Sequence, residues 1–135
     1  MNARKDVSIL VVDDSDTMRA LVKKFLKTEG FENIEEAADG DLALIQLNKR
    51  DFDVVICDWN MPNKTGLDLL KDLRATTGHK GRTPFIMLTC EVEHDQVEKA
   101  LLTGANNYIA KPFKKQTLIE KIILTINKDR PQQIT

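Results

Sequence analysis

What this sequence lacks narrows it first. Nowhere do its 135 residues hold an apolar run long enough to span a bilayer. The start, MNARKDVSIL, has no apolar core of signal-peptide length. Both absences lead us to expect a cytoplasmic chain with no membrane partner. An excess of one charge is also missing, because the formal net charge is -1. Such a balance exerts no general pull on nucleic acid or on an anionic membrane. Cysteine is scarce: Cys57 and Cys90 lie in apolar segments, and we expect buried, reduced thiols rather than a redox pair. Repeats and low-complexity tracts are absent too, and the length suits one domain.

What is present is an alternation of strand-like and helix-like runs. Ile9 to Val12 is β-branched-rich and ends in Asp13-Asp14. Met18, Leu21, Val22, Phe25 and Leu26 then recur on one helix face. Ser15 or Asp16 is placed to cap that helix, and Gly30 stands where a C′ glycine belongs. Asn33 to Ala38 reads as a second strand, and Ala38-Asp39-Gly40 turns into a helix around Leu42 to Leu47. Val54 to Cys57 is a third strand, followed by Pro62 and Gly66 in a loop and by a stripe of Leu67, Leu70 and Leu73. A polar loop from Thr76 to Thr83 precedes a fourth strand, Phe85 to Leu88. Val97, Ala100 and Leu101 line a helix that ends near Gly104. Tyr108 to Ala110 is a short fifth strand. Leu118, Ile119, Ile122, Ile123 and Ile126 mark the last helix.

Five such pairs imply an α/β fold, a parallel sheet with helices on both faces. The strands are continuous apolar runs, as buried parallel strands should be. The organisation expected is a loose N-terminus over 1–6, a domain over 7–127 and a loose tail over 128–135.

In an open parallel sheet the functional site lies beyond the carboxyl ends of the strands. That rule selects Asp13, Asp14, Asp58, Thr89 and Lys111, each at or just past a strand end. Each has an ordinary reading alone: a cap for Asp13-Asp14, a turn residue for Asp58, a solvated lysine for Lys111. Together they describe one site. Carboxylates crowded together are tolerated when a cation binds or a proton is taken up. Hard oxygen ligands with room for water suit Mg²⁺. A metal, a lysine and a hydroxyl offset charge on a transferring phosphoryl group. Asp58 is then a nucleophile that becomes an aspartyl phosphate.

These residues carry a family resemblance. LVVDDSDTMR (Leu10 to Arg19), EEAADG (Glu35 to Gly40), CDWNMPNKTGLDLL (Cys57 to Leu70), Thr89 and NYIAKPF (Asn107 to Phe113) resemble response-regulator receiver domains. DWNMPN points to the single-domain chemotaxis kind. The resemblance spans roughly residues 7 to 127. It implies a flavodoxin-like (βα)5 fold with strand order 2-1-3-4-5. It implies that a histidine kinase phosphorylates Asp58 and that Mg²⁺ is held by Asp13, Asp14, Asp58 and the backbone carbonyl of Asn60, Asp13 acting mainly through water. Thr89 and Lys111 would bind phosphoryl oxygens, Thr89 and Tyr108 would switch, and Asn60 and Glu91 would tune hydrolysis. A cis Lys111-Pro112 bond is also implied. The output face would be the fourth helix, fifth strand and fifth helix, meeting the flagellar motor switch. A phosphatase is a further possible partner, and the chain is expected to act as a monomer.

Some residues depart from that pattern. Cys90 follows the threonine where Ala, Gly or Ser is usual. Glu93, His94 and Asp95 make the fourth helix acidic at its start, and Lys99, Leu101 and Leu102 reshape it. His79 and His94 have no second ligand at metal spacing and read as surface residues. Lys114-Lys115 reads as a solvated turn, since no aromatics interleave it and no DNA-reading element follows. No effector domain follows either, so output is expected through a separate protein. Four rivals stand beside this reading, and one of them, a pure binding module without phosphorylation, would have no need of the acids that this chain keeps. A haloacid-dehalogenase-type phosphohydrolase would find Asp14-x-Asp16, but Met18 stands where Thr or Val is needed. A flavin binder would meet Asp13 and Asp14 where its phosphate loop belongs. A receiver acting as phosphorelay intermediate or phosphate sink outside chemotaxis is the nearer alternative.

Overall fold

A computed structural model describes residues 4–90, 94–128, 130 and 133–135. Five strands alternate with five helices: β1 (Ser8–Val12), α1 (Asp16–Thr28), β2 (Asn33–Ala37), α2 (Gly40–Lys49), β3 (Val54–Asp58), α3 (Gly66–Arg74), β4 (Phe85–Thr89), α4 (His94–Thr103), β5 (Asn107–Ala110) and α5 (Lys115–Asn127). The strands are all parallel, in the order β2-β1-β3-β4-β5. The fold is the flavodoxin-like one the sequence implied.

The continuous apolar strands split their side chains between two helical layers, as strand alternation requires. Leu10, Val12, Val55, Cys57, Phe85 and Met87 face α2, α3 and α4, where Ala43, Leu47, Leu70 and Ala100 meet them. Ile9, Val11, Val54, Ile56, Ile86 and Leu88 face α1 and α5, against Val22, Leu26, Leu118 and Ile122. β1 and β3 are neighbours, so Asp13 and Asp58 leave the sheet side by side.

Local chemistry sets the helix ends. Ser15 Oγ accepts from the Met18 amide and caps α1. Gly30 closes that helix at φ +91°, a conformation that favours glycine. Thr65 and Asp68 form a reciprocal capping box at α3. Gly66 has a second reason: a Cβ there would lie 2.5 Å from the Asp58 carbonyl oxygen and 2.8 Å from Met87 Sδ. Only a bare backbone lets α3 begin directly against the strand that carries Asp58.

Two expectations need correction. Cys57 is buried, but Cys90 is exposed, because β4 ends at Thr89 and the next residue leaves the sheet. Leu101 and Leu21 lie at the margins of their stripes and are exposed, with Val22 and Ala100 taking the buried positions. Where they are described, both ends make contacts with the domain. Arg4–Asp6 forms a 3-10 turn, and Arg4 Nε donates to the Thr135 carbonyl. Ile134 is buried in the α1/α5 layer, and the Asn127 side-chain amide bonds both its N–H and its C=O.

Candidate functional site

The carboxyl ends of β1, β3, β4 and β5 converge. Asp13 is 2% exposed and Asp58 5%, while Asp14 is exposed. One carboxylate oxygen from each of the three lies within 4.8 Å of the others. Lys111 leaves the end of β5, and its backbone N–H donates to the Thr89 carbonyl at 2.7 Å. Its Nζ reaches Asp58 Oδ1 at 2.7 Å and stands 3.6 Å from Asp13 Oδ2. The Lys111-Pro112 peptide is cis.

The charges do not balance. Asp13 Oδ1 accepts from the Ser15 amide at 2.9 Å. Among the described residues its Oδ2 is buried without a hydrogen-bond partner, which is costly for a carboxylate. Burial above all pushes the Asp13 carboxyl above its ordinary range. The charges of Asp58 and Asp14 push the same way, while the Ser15 amide and Lys111 oppose them. Burial draws the Lys111 ammonium down, but the hydrogen bond and charge of Asp58, with Asp13, lift it above its ordinary value overall. Beneath them, burial drives the Cys57 thiol well upward, so it stays a neutral thiol. An orphaned buried oxygen among three carboxylates is a donor set for a hard divalent cation, and the residues fit one.

Around the acids, Thr89 is buried and its hydroxyl donates to Gln96 Oε1 of α4 at 3.4 Å. Trp59 packs into the core beside Asp58, and Tyr108 is half-buried against the same layer. Lys121 Nζ sits 4.9 Å from the Tyr108 ring. Asn60, two residues after Asp58, is exposed. Glu91 lies outside the described residues, as does Glu93 of the acidic turn. Asp95 and Lys99 are exposed, and Leu102 is 80% exposed. His79 is on the surface, bonded to Asp51 Oδ1 at 2.9 Å.

Two participants escaped the sequence reading. Arg19 donates to the Asp13 carbonyl at 2.5 Å and pairs with Asp16 and Glu36, pinning the acid loop to α1 and β2. It lay inside a quoted motif, six residues after Asp13, which puts it one helical turn along. Gln96 had no sequence signal except polarity in the first turn of a helix that starts at the strand ends.

Comparison with known proteins agrees with this geometry. The family model of the response regulator receiver domain matches residues 9–123. The chain is similar to the chemotaxis protein CheY-3 of Vibrio cholerae, 48% identical over 118 residues, covering 87% of this chain and 90% of that protein. It is similar to the chemotaxis protein CheY of Pseudomonas aeruginosa, 46% identical over 116 residues, covering 86% and 93%. Among solved structures, the chemotaxis response regulator CheY4 of Vibrio cholerae superposes with a TM-score of 0.78 at 38% identity, covering 86% of this chain and 95% of that one. The receiver domain of a Francisella response regulator superposes at 0.84 with 29% identity, covering 93% and 100%. With its parallel sheet, its acid cluster and these relatives, this chain belongs to the response-regulator receiver domain family.

Proposed function

We propose that the chain is a stand-alone switch of a two-component system, phosphorylated on Asp58 by a histidine kinase and working in chemotaxis. The observation that carries this is the 2.7 Å contact of Lys111 Nζ with Asp58 Oδ1 inside a cluster of three carboxylates. Receiver domains are signalling switches rather than classical enzymes, and the curated relatives named above are chemotaxis proteins.

The chemistry follows from the residues. An Asp58 carboxylate oxygen attacks phosphorus, the bond from phosphorus to the donor imidazole nitrogen breaks, and its electron pair stays on that nitrogen. The partner strands hold Asp58 rigidly, so little freedom is lost at attack. Lys111 is already placed to meet charge growing on the phosphoryl oxygens. Asp13, Asp14, Asp58 and the Asn60 carbonyl would hold Mg²⁺, which when bound would supply positive charge to offset that of the carboxylates and the phosphoryl group. Thr89 then donates its hydroxyl to a phosphoryl oxygen. Tyr108 follows, and the face of α4, β5 and α5 changes shape for an output protein. Asn60 and Glu91 govern access of water to the acyl phosphate. In this reading the output partner is the flagellar motor switch and the protein acts as a monomer.

A second reading is favoured by one observation. Leu101 and Leu102 place exposed apolar surface on α4, which suits a different partner and a role as phosphorelay intermediate or phosphate sink. Labelled phosphotransfer separates the two. A chemotaxis kinase should load this chain rapidly, leave Asp58→Asn unlabelled, and beryllofluoride should strengthen binding to a motor-switch protein. Loading only from other phosphohistidine proteins, with no gain in motor-switch binding, would favour the relay.

A further inference from the structure

Asp14 is the exposed member of the acid cluster, and among the described residues its carboxylate has no hydrogen-bond or ion-pair partner. Yet one of its oxygens lies within 4.8 Å of those of Asp13 and Asp58. Its place therefore depends on the backbone that carries it. The peptide between Asp13 and Asp14 is planar, so whatever holds its oxygen also sets the direction in which Asp14 leaves it. Arg19 holds that oxygen. Its Nη1 donates to the Asp13 carbonyl at 2.5 Å. Its Nε donates to Glu36 Oε1 of β2 at 3.3 Å, and its Nη2 pairs with Asp16. The planar fork thus serves three acceptors at once, and the side chain is 12% exposed. The Asp13 N–H donates to the Ala37 carbonyl at 3.1 Å. β2 therefore reaches Asp13 twice, directly through Ala37 and indirectly through Glu36 and Arg19. A groove of about 420 Å³ beside α2 borders Arg19, Glu36 and Ala37. A substitution at Arg19 widens that groove and leaves the core untouched.

We propose that Arg19 is a positioning residue for the divalent cation: by holding the Asp13 carbonyl it aims the Asp14 carboxylate into the acid cluster. The inference rests on the reading of that cluster as a Mg²⁺ site under the proposed function, and it names what keeps the exposed ligand in place. Charge and position predict opposite signs. The guanidinium is a cation near a cation site, so charge alone would make its removal tighten Mg²⁺ binding. Loss of position weakens binding, because an unheld Asp14 must be ordered when the metal arrives. Asp16 and Glu36 already offset the guanidinium charge, so position should win.

The probe is Mg²⁺ alone, without phosphodonor, titrated against Trp59 fluorescence at a temperature where melting curves show each variant folded. Arg19→Met keeps the apolar stem and removes every donor. Its Kd for Mg²⁺ should rise about 10-fold, the lower end of the cost of losing a partner behind a metal ligand. Arg19→Lys keeps the charge but not the fork. It should lose affinity in the same direction, by less. Lys23→Met breaks the other ion pair of Glu36 without touching Asp13, and it should leave the Kd within error of the parent's. A Kd that is unchanged or lower in Arg19→Met would overturn the proposal. So would a parent-like Kd in Arg19→Lys, which would show that the fork is not needed; that variant carries the test alone if Arg19→Met does not fold. An equal loss in Lys23→Met would overturn it too, by assigning the effect to surface charge. A parent that answers Mg²⁺ neither in Trp59 fluorescence nor in melting temperature would remove the reading of the acid cluster itself, a failure visible before any variant is compared.

Discussion

The two ends of this sheet treat charge in opposite ways. At the amino ends of the strands, ionic groups are matched. Asp53 accepts from the Ser8 amide at 2.8 Å and from Arg130 at 2.9 Å. Arg50 bonds Ser8 Oγ, Asn33 Oδ1 and Glu35. Arg74 donates to the carbonyls of Gly81, Thr83 and Gly104 and to Asn106 Oδ1, stitching α3 to the starts of β4 and β5. At the carboxyl ends, three carboxylates cluster, Lys111 stands against Asp58 and Asp13, and Asp13 Oδ2 has no hydrogen-bond partner among the described residues. The same strands hold both ends. What differs is whether the local charges are answered by the chain or left for a ligand. The amino end spends its polar groups on holding the fold; the carboxyl end keeps an imbalance that a cation and a phosphoryl group can use.

Substitutions at each end should therefore separate stability from chemistry. The largest effect is expected at Lys111. Lys111→Ala should slow phosphoryl uptake about 10²- to 10³-fold, the loss typical of one preorganised charge-stabilising group. Stopped-flow Trp59 fluorescence with a small phosphodonor would measure it, and an uptake rate near the parent's would break the comparison.

Arg74→Ala should do the reverse. It leaves several carbonyls at the strand starts without their donor, and we expect a loss of about 2–3 kcal/mol in urea unfolding. Burial lowers the Arg74 pKa, but a guanidinium remains charged. Uptake by the folded fraction should be unchanged. A variant that loses uptake with no loss of stability would mean that the two ends are not separable.

The smallest effect, and the sharpest, concerns Asp13. Its carboxyl is raised from the usual 3.8, chiefly by burial. The native state thus holds this proton more tightly than the unfolded chain does. Its contribution to stability is complete below about 3.8 and is lost as pH rises through the raised value. Without Mg²⁺, melting temperature should fall across that window, and Asp13→Asn should flatten the fall and melt higher near neutrality. Mg²⁺ should raise the melting temperature of the parent, and the same substitution should blunt that rise. A metal-free Asp13→Asn protein that melts lower than the parent would contradict the imbalance.

Much of the fold could be read from the chain because its signals are local. The apolar strands, the Ser15 cap and Gly30 act over a few residues, and each lies where the sequence placed it. The acids, Thr89 and Lys111 were legible for a different reason: a parallel sheet brings strand ends together whatever their separation in sequence. Arg19 and Gln96 were not legible, because their contacts cross between elements and neither has a composition signal. Cys90 misled because one residue past a strand end is enough to leave the core. The burial of Ile134 was hidden in another way, since it is an isolated apolar residue in a polar stretch.

The most direct test of the account is the intact mass of the protein after mixing with acetyl phosphate, with and without Mg²⁺. The account predicts the gain of one phosphoryl group that requires Mg²⁺ and is absent in Asp58→Asn. No gain in the parent, or a gain that persists in Asp58→Asn, would contradict it.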